Sequence, residues 1–211
     1  MVSSSALIYV CVENAALYWL VAYMFHYMGW ESKPTERERC RIPNVLCNQL
    51  VITPLLMLSL ERFHFIPWET ELTLWLVPQL LIGILYLSIL GYGIHYALHT
   101  KFLYLSIHRI HHRWMSTKSW TALDTHPLEH IALDMFPALI TPTVFSWGIH
   151  LYRAWFAFLI INSLLAHRTH IMDHGNHQNH HLHQEYNFGK GPLNMDHLLG
   201  TDWQPKVRDQ E

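Results

Sequence analysis

Apolar residues along this chain come in long, nearly unbroken blocks rather than in short periodic stripes. Residues 6–28, 42–60 and 72–99 are each mostly apolar. At ~1.5 Å of rise per helical residue, about twenty such positions cross the ~30 Å hydrocarbon core of a bilayer. A further block, 131–166, is interrupted by Pro137 and Pro142 and predicts either two tightly packed spans or a re-entrant hairpin. Glu13 and Asn14 interrupt the first block and are expected to face other helices, while Pro54 predicts a kink in the second. The pattern predicts an all-α integral membrane helical bundle of about four to five spans or hairpins. Its segments would be two N-terminal membrane helices in 1–71, a second, histidine-bearing unit in 72–203 and a polar tail in 204–211.

Charge orients the bundle. The 31–41 loop carries Lys33, Arg37, Arg39 and Arg41, and the segment after the third block adds Lys101, Arg109, Arg113 and Lys118. The 61–71 connection has only Arg62 against Glu61, Glu69 and Glu71. The excess of Lys and Arg predicts a cytosolic location for both the 31–41 loop and the region beyond residue 99. Composition excludes some classes. A net charge of −2 gives no electrostatic footprint for nucleic acid. Cys11, Cys40 and Cys47 form no CxxC, which argues against a disulfide framework or a thiolate-ligated zinc. No basic stretch precedes the first apolar run, so a removable leader is not expected.

The anomaly is histidine, with 18 residues of which only His26 and His64 precede His95. His95 and His99 are spaced HxxxH, and His108, His111 and His112 are spaced HxxHH. The same grammar returns as His170 with His174, and as His177, His180 and His181. Residues three and four apart share a helix face, so the spacing brings imidazoles together. Two ions with about five ligands each fit ten histidines better than a single structural site. Neutral imidazole suits iron, copper, zinc or nickel. The helical hydrolase motif HExxH is absent, because Tyr96 occupies the glutamate position of HYALH. Glu129, Asp173 and Asp196 lie beside the motifs and are the expected acceptors for ring N–H groups.

The succession HxxxH, HxxHH, HPxE (His126 to Glu129), HxxxH, HxxHH, NFG and DHLLGT resembles the fatty acid hydroxylase/sterol desaturase superfamily, nearest in motif to its sterol-oxidising branch. The resemblance implies a membrane enzyme with a cytosolic, histidine-rich dimetal cap. It would hold two non-haem iron ions (zinc as a substitute on overexpression) and use O2 to hydroxylate, oxidise or desaturate a lipid. The implied metal ligands are His95, His99, His108, His111, His112, His170, His174, His177, His180 and His181, with His126 and His167 as subsidiary candidates. Asn187, Gly189, Asp196, Gly200 and Thr201 would close the cap. Two features depart from the pattern. His174 and His177 are closely spaced where relatives carry a longer segment, which sets His167, His170 and His174 in competition. Leu199 stands where a bulky aromatic is usual.

A sterol-type substrate is therefore expected, entering past residues such as Trp75, Tyr86, Tyr92, Phe136 and Trp147. The alternatives are an acyl or sphingolipid hydroxylase of the same superfamily, or a non-catalytic metal-binding membrane protein. Lacking HPGG and any flavin or dinucleotide fingerprint, the chain is expected to take electrons from an external donor such as cytochrome b5 or a reductase. The expected location is the endoplasmic reticulum in a eukaryote and the cytoplasmic membrane in a bacterium.

Overall fold

The structure, a computed structural model, describes residues 3–61, 66–168 and 176–203. The described residues contain helices and connecting turns and no strand. The longer helices are α1 (Ser4–Tyr27), α2 (Glu36–Glu61), α3 (Leu76–Leu98), α4 (Lys101–Ser106), α5 (Phe136–Val144), α6 (Ile149–Ala166), α7 (Asn176–Leu182) and α8 (Met195–Leu199). Four of them, α1, α2, α3 and α6, are long and apolar enough to cross a membrane. The 131–166 block resolves into a hairpin, with α5 leading into α6 through a turn at 145–148. Ser146 takes a positive φ of 49° there, and a Cβ on Gly148 would collide with the backbone of Glu69.

Local signals set the ends. The Ser3 hydroxyl accepts from the Ala6 N–H at the start of α1. Thr35 and Glu38 form a reciprocal capping box that starts α2 earlier than its apolar run. The kink expected at Pro54 takes the form of a π-helical segment, Asn48–Ile52, just before the proline. A second π segment, His130–Met135, precedes Pro137 in the same way. A proline cannot donate to the carbonyl a turn earlier, and widening the preceding turn relieves both the lost bond and the ring clash. The two widened turns meet: Thr53 Oγ1 lies 2.9 Å from His130 Nε2 and accepts or donates there according to the tautomer.

The helices expose apolar side chains as well as burying them. On α3, Val77, Leu81, Leu85 and Ile89 are exposed, whereas Gly83, Leu87, Gly91 and His95 are buried at four-residue intervals. Small residues let neighbouring backbones approach where lipid offers no hydrophobic drive for association. A Cβ on Gly83 would stand 2.9 Å from the Thr141 methyl of α5. One apolar core joins Leu7 and Val10 of α1, Met57 of α2 and Trp147, Tyr152 and Trp155 around α6, so it runs across the division at residue 71. Glu13, expected to face another helix, meets Arg153 of α6 at 2.9 Å, with both side chains about half exposed.

At the histidine end, buried polar groups clamp the 114–125 segment to α1 and α2. Asp124, fully buried, accepts from Arg41 Nη2 (2.9 Å), Asn44 Nδ2 (2.8 Å) and Trp114 Nε1 (2.9 Å). Lys118 pairs with Glu38 at 2.9 Å, Ser119 donates to Glu31, and Tyr18 donates to the Trp120 carbonyl at 2.6 Å. The 31–41 loop and the histidine region therefore lie at one end of the bundle.

Removing one member of a buried ion pair typically costs about 3–5 kcal/mol, since the remaining charge and donors lose their partner. Asp124→Ala is therefore expected to lower the Tm in detergent by roughly 10 °C. Thermal unfolding followed by circular dichroism checks this, and an unchanged Tm would remove the clamp from the account of stability.

Candidate metal centre

Four elements deliver the imidazoles. His95 and His99 end α3, and His108, His111 and His112 sit on a 3-10 turn, His108–Arg113. His167 ends α6, and His177, His180 and His181 lie on α7. Gln178 docks α7 by accepting from the Thr117 N–H and hydroxyl and donating to the Met115 carbonyl.

The side chains form two adjacent groups. The first holds His95, His99, His108, His112 and His180, and the second holds His111, His167, His177 and His181. Each HxxHH motif is divided between them. His108 and His112, four apart, go to the first group and His111 to the second; His177 and His181 go to the second and His180 to the first. The two motifs thus interlock the groups, with the His112 and His181 ring centroids 4.6 Å apart.

In both groups the converging atoms are Nε2. In the first, His99, His108, His112 and His180 form a closed quadrilateral with sides of 3.0–3.1 Å, and His95 stands 3.1 Å from His108. In the second, neighbouring Nε2 atoms are 3.0–3.4 Å apart. The opposite ring nitrogens point away. Nδ1 of His95 donates to the Phe188 carbonyl at 2.7 Å, Nδ1 of His167 to the Ser163 carbonyl at 2.9 Å, and Nδ1 of His180 to the Tyr186 carbonyl. His108 Nδ1 faces Glu129 at 2.9 Å, off the line of a straight hydrogen bond. A ring whose proton sits on Nδ1 presents a bare lone pair at Nε2. Lone pairs 3 Å apart repel, so these are not imidazole–imidazole hydrogen bonds. Ligands at ~2.1 Å from one cation are ~3.0–3.4 Å from each other in octahedral or tetrahedral arrangements. The donor set and its spacing therefore fit a metal ion in each group.

Electrostatics agrees. Burial, with neighbouring imidazoles, holds His108, His111, His112, His177, His180 and His181 well below the usual histidine range, and burial brings His99 and His167 down to about 4. Neutral rings are the ligand form. Burial pushes the Glu129 carboxyl up, and a cation on the far nitrogen of His108 would favour its charged state.

The remaining expected residues are placed as follows. His170, His174 and Asp173 lie outside the described residues. His126 belongs to neither group; its Nδ1 accepts from the Leu128 N–H at a helix start. Among the described residues Asp196 hydrogen-bonds to no imidazole. It accepts from the Phe188 and Gly189 N–H groups at 2.7 and 2.8 Å and from the Thr201 hydroxyl at 2.9 Å. Its effect on the site passes through the Phe188 carbonyl that orients His95. Asn187, at φ 60°, accepts from the Trp203 N–H and closes the same loop. His183 stacks on Trp203, facing away.

A cavity of about 600 Å³ reaches the second group at His167 and His177 and extends between the helices to Cys11, Ala138 and Phe156. None of Trp75, Tyr86, Tyr92, Phe136 or Trp147 lines it. Trp147 is fully buried in the core, and Trp75 and Phe136 face outward. The sequence offered no way to separate bulky residues that face lipid or fill the core from those lining a cavity.

Residues 80–201 match the family model for fatty acid hydroxylase. Among individual proteins, the chain is 28% identical over 186 residues to fatty acid hydroxylase domain-containing protein 2 of Macaca fascicularis, covering 82% of this chain and 55% of that protein. It is 31% identical over 126 residues to very-long-chain aldehyde decarbonylase GL1-11 of Oryza sativa subsp. indica (58% and 46%). It is 29% identical over 140 residues to methylsterol monooxygenase 2-1 of Arabidopsis thaliana (64% and 50%). The chain spans about half the length of the curated relatives it matches. No solved structure matches it.

The depressed histidines set a pH dependence. Unfolded, each ring binds a proton below about pH 6.5, whereas the folded rings outside the spans resist protonation to far lower pH. Their contribution to stability is thus present above pH 6.5 and is lost as pH falls below it, and protons compete with metal in the same direction. Metal retained after gel filtration is expected to fall steeply between about pH 7 and pH 5. Retention unchanged to pH 5 would contradict this.

Proposed function

This chain belongs to the fatty acid hydroxylase family, and on that premise we propose that it is a membrane-bound non-haem di-iron oxygenase that hydroxylates, oxidises or desaturates a lipid, with a sterol-type substrate favoured. The observation that carries the reading is the convergence of nine Nε2 atoms on two adjacent centres beside a cavity that runs between apolar helices. One iron would be held by His95, His99, His108, His112 and His180, and the other by His111, His167, His177 and His181. When bound, the pair supplies O2 activation, using electrons from an external donor such as cytochrome b5 or a reductase.

The chain's own residues do the rest. Backbone carbonyls of Phe188, Tyr186 and Ser163 fix ring tautomers and orientations. Glu129 faces the outer nitrogen of His108. The clamp around Asp124 holds the 3-10 turn against the bundle, and the cavity admits an apolar substrate while excluding bulk water. The histidine end would face the cytosol, as the Lys and Arg distribution argues, in the endoplasmic reticulum or a bacterial cytoplasmic membrane.

Support for a sterol-type substrate is the HPxE run at His126–Glu129 and the similarity to a methylsterol monooxygenase. The similarity to a very-long-chain aldehyde decarbonylase favours an acyl-chain substrate as the second reading.

Protein purified from its native host is expected to carry about two irons per chain and to yield an O2-dependent lipid product. His108→Gln and His180→Gln, one in each HxxHH motif, are expected to abolish turnover and lower metal content. His150→Gln, on the exposed side of α6, is expected to change neither. Mass-spectrometric metal analysis and lipid profiling check these outcomes. Active protein without metal, or full activity in both variants, would overturn the oxygenase reading.

A further inference from the structure

A hydrogen-bonded polar network forms part of the cavity wall. Lys190 donates to Asp134 Oδ1 at 2.8 Å, Asp134 Oδ2 faces His130 Nδ1 at 3.1 Å, and the other His130 nitrogen meets Thr53 at 2.9 Å. All four residues line the cavity that ends at His167 and His177. Lys190 stands two residues after Phe188, whose carbonyl accepts from His95 of the first group, and it lines the same cavity as His167 and His177 of the second. The opposite end, at Cys11, Ala138 and Phe156, belongs to the apolar core.

The backbone is shaped to put Lys190 there. A Cβ on Gly191 would collide with Ser88 of α3, and one on Gly189 would come within 2.6 Å of Asp196. The flanking glycines thus allow the loop to lie directly on α3. The Lys190 stem passes α3 at Gly91, where a side chain would touch the lysine Cβ at 3.4 Å. An ammonium has three donors, and Asp134 is the only acceptor of Lys190 among the described residues. The side-chain amide of Asn162, lining the same cavity, has no hydrogen-bond partner among them.

We propose that Lys190, held by Asp134, is the polar anchor of the lipid site, binding a neutral oxygen function (hydroxyl or aldehyde carbonyl) so that the carbon presented to the histidine groups lies next to that oxygen. The proposal rests on the lipid-oxygenase reading and adds to it where on the lipid the reaction falls. Neutrality follows from charge. Asp134 already pairs with Lys190 at 2.8 Å, so a carboxylate or phosphate head placed on the ammonium would stand against the like charge of Asp134. The tail then runs away from the metal groups toward Phe156, which excludes a position far along the chain.

The test measures saturable binding of radiolabelled probes to the iron-loaded full chain in nanodiscs. Cholesterol is compared with cholest-5-ene, which lacks the hydroxyl, and octadecan-1-ol with octadecane and octadecanoate. The oxygen-bearing member of at least one pair is expected to bind about tenfold or more tightly, with no preference for the carboxylate. Lys190→Met is expected to erase that preference while hydrocarbon binding and metal content stay unchanged. Equal binding across both wild-type pairs, preference for octadecanoate, or preference retained in Lys190→Met would overturn the anchor. If Lys190→Met loses its metal, the wild-type comparison decides alone. Binding preference without O2-dependent product would sink the oxygenase reading and leave the anchor, whereas product formation without the preference would do the reverse.

Discussion

Everything at the functional end of this protein depends on one electrostatic constraint, the crowding of bare imidazole nitrogens. Five Nε2 atoms in one group and four in the next approach to 3.0–3.4 Å. Carbonyls of Phe188, Ser163 and Tyr186 hold the ring protons of His95, His167 and His180 on the other side. Such an arrangement is repulsive by itself and becomes favourable around a cation. The rest of the fold can be read as the means of holding these rings together.

The supports come from two directions. From the membrane, α3 carries a buried row of Gly83, Leu87 and Gly91 that ends in His95, so the close packing that seats the helix also aims its ligand. From the histidine end, Asp124, Glu31 and Glu38 fasten the 114–125 segment to α1 and α2. Between the two lie the π turns before Pro54 and Pro137, which face each other through Thr53 and His130. Gln49 of the first turn and His130, Leu133, Asp134 and Met135 of the second line the cavity.

Much of this was legible in the sequence, for identifiable reasons. The spans announced themselves by length, a signal that survives without periodicity. The HxxHH spacing marked the imidazoles that the structure brings together; on α7, i and i+4 share a face, whereas His108 to His112 converge from a 3-10 turn. How each motif divides between two centres was not legible, since it depends on which neighbours approach from which side. His167 stood outside the paired spacing and was a subsidiary candidate, set in competition with His170 and His174 by the short interval before His177. Backbone acceptors such as the Phe188 carbonyl leave no trace in side-chain identity. The bulky residues expected to line the substrate path were misplaced for a related reason. Trp147 fills the core and Trp75 faces outward, while the cavity is lined by other residues, Tyr18, Phe156, Lys190 and Asp134 among them.

The central claim, two adjacent iron ions bound by imidazole, is tested most directly by X-ray absorption at the iron edge of the loaded protein. The account predicts a first shell dominated by nitrogen at about 2.1 Å with the outer-ring scattering of histidine, and with no sulfur. A shell dominated by carboxylate oxygen, a sulfur contribution, or a signal from a single iron with too few imidazoles to empty either group would contradict it.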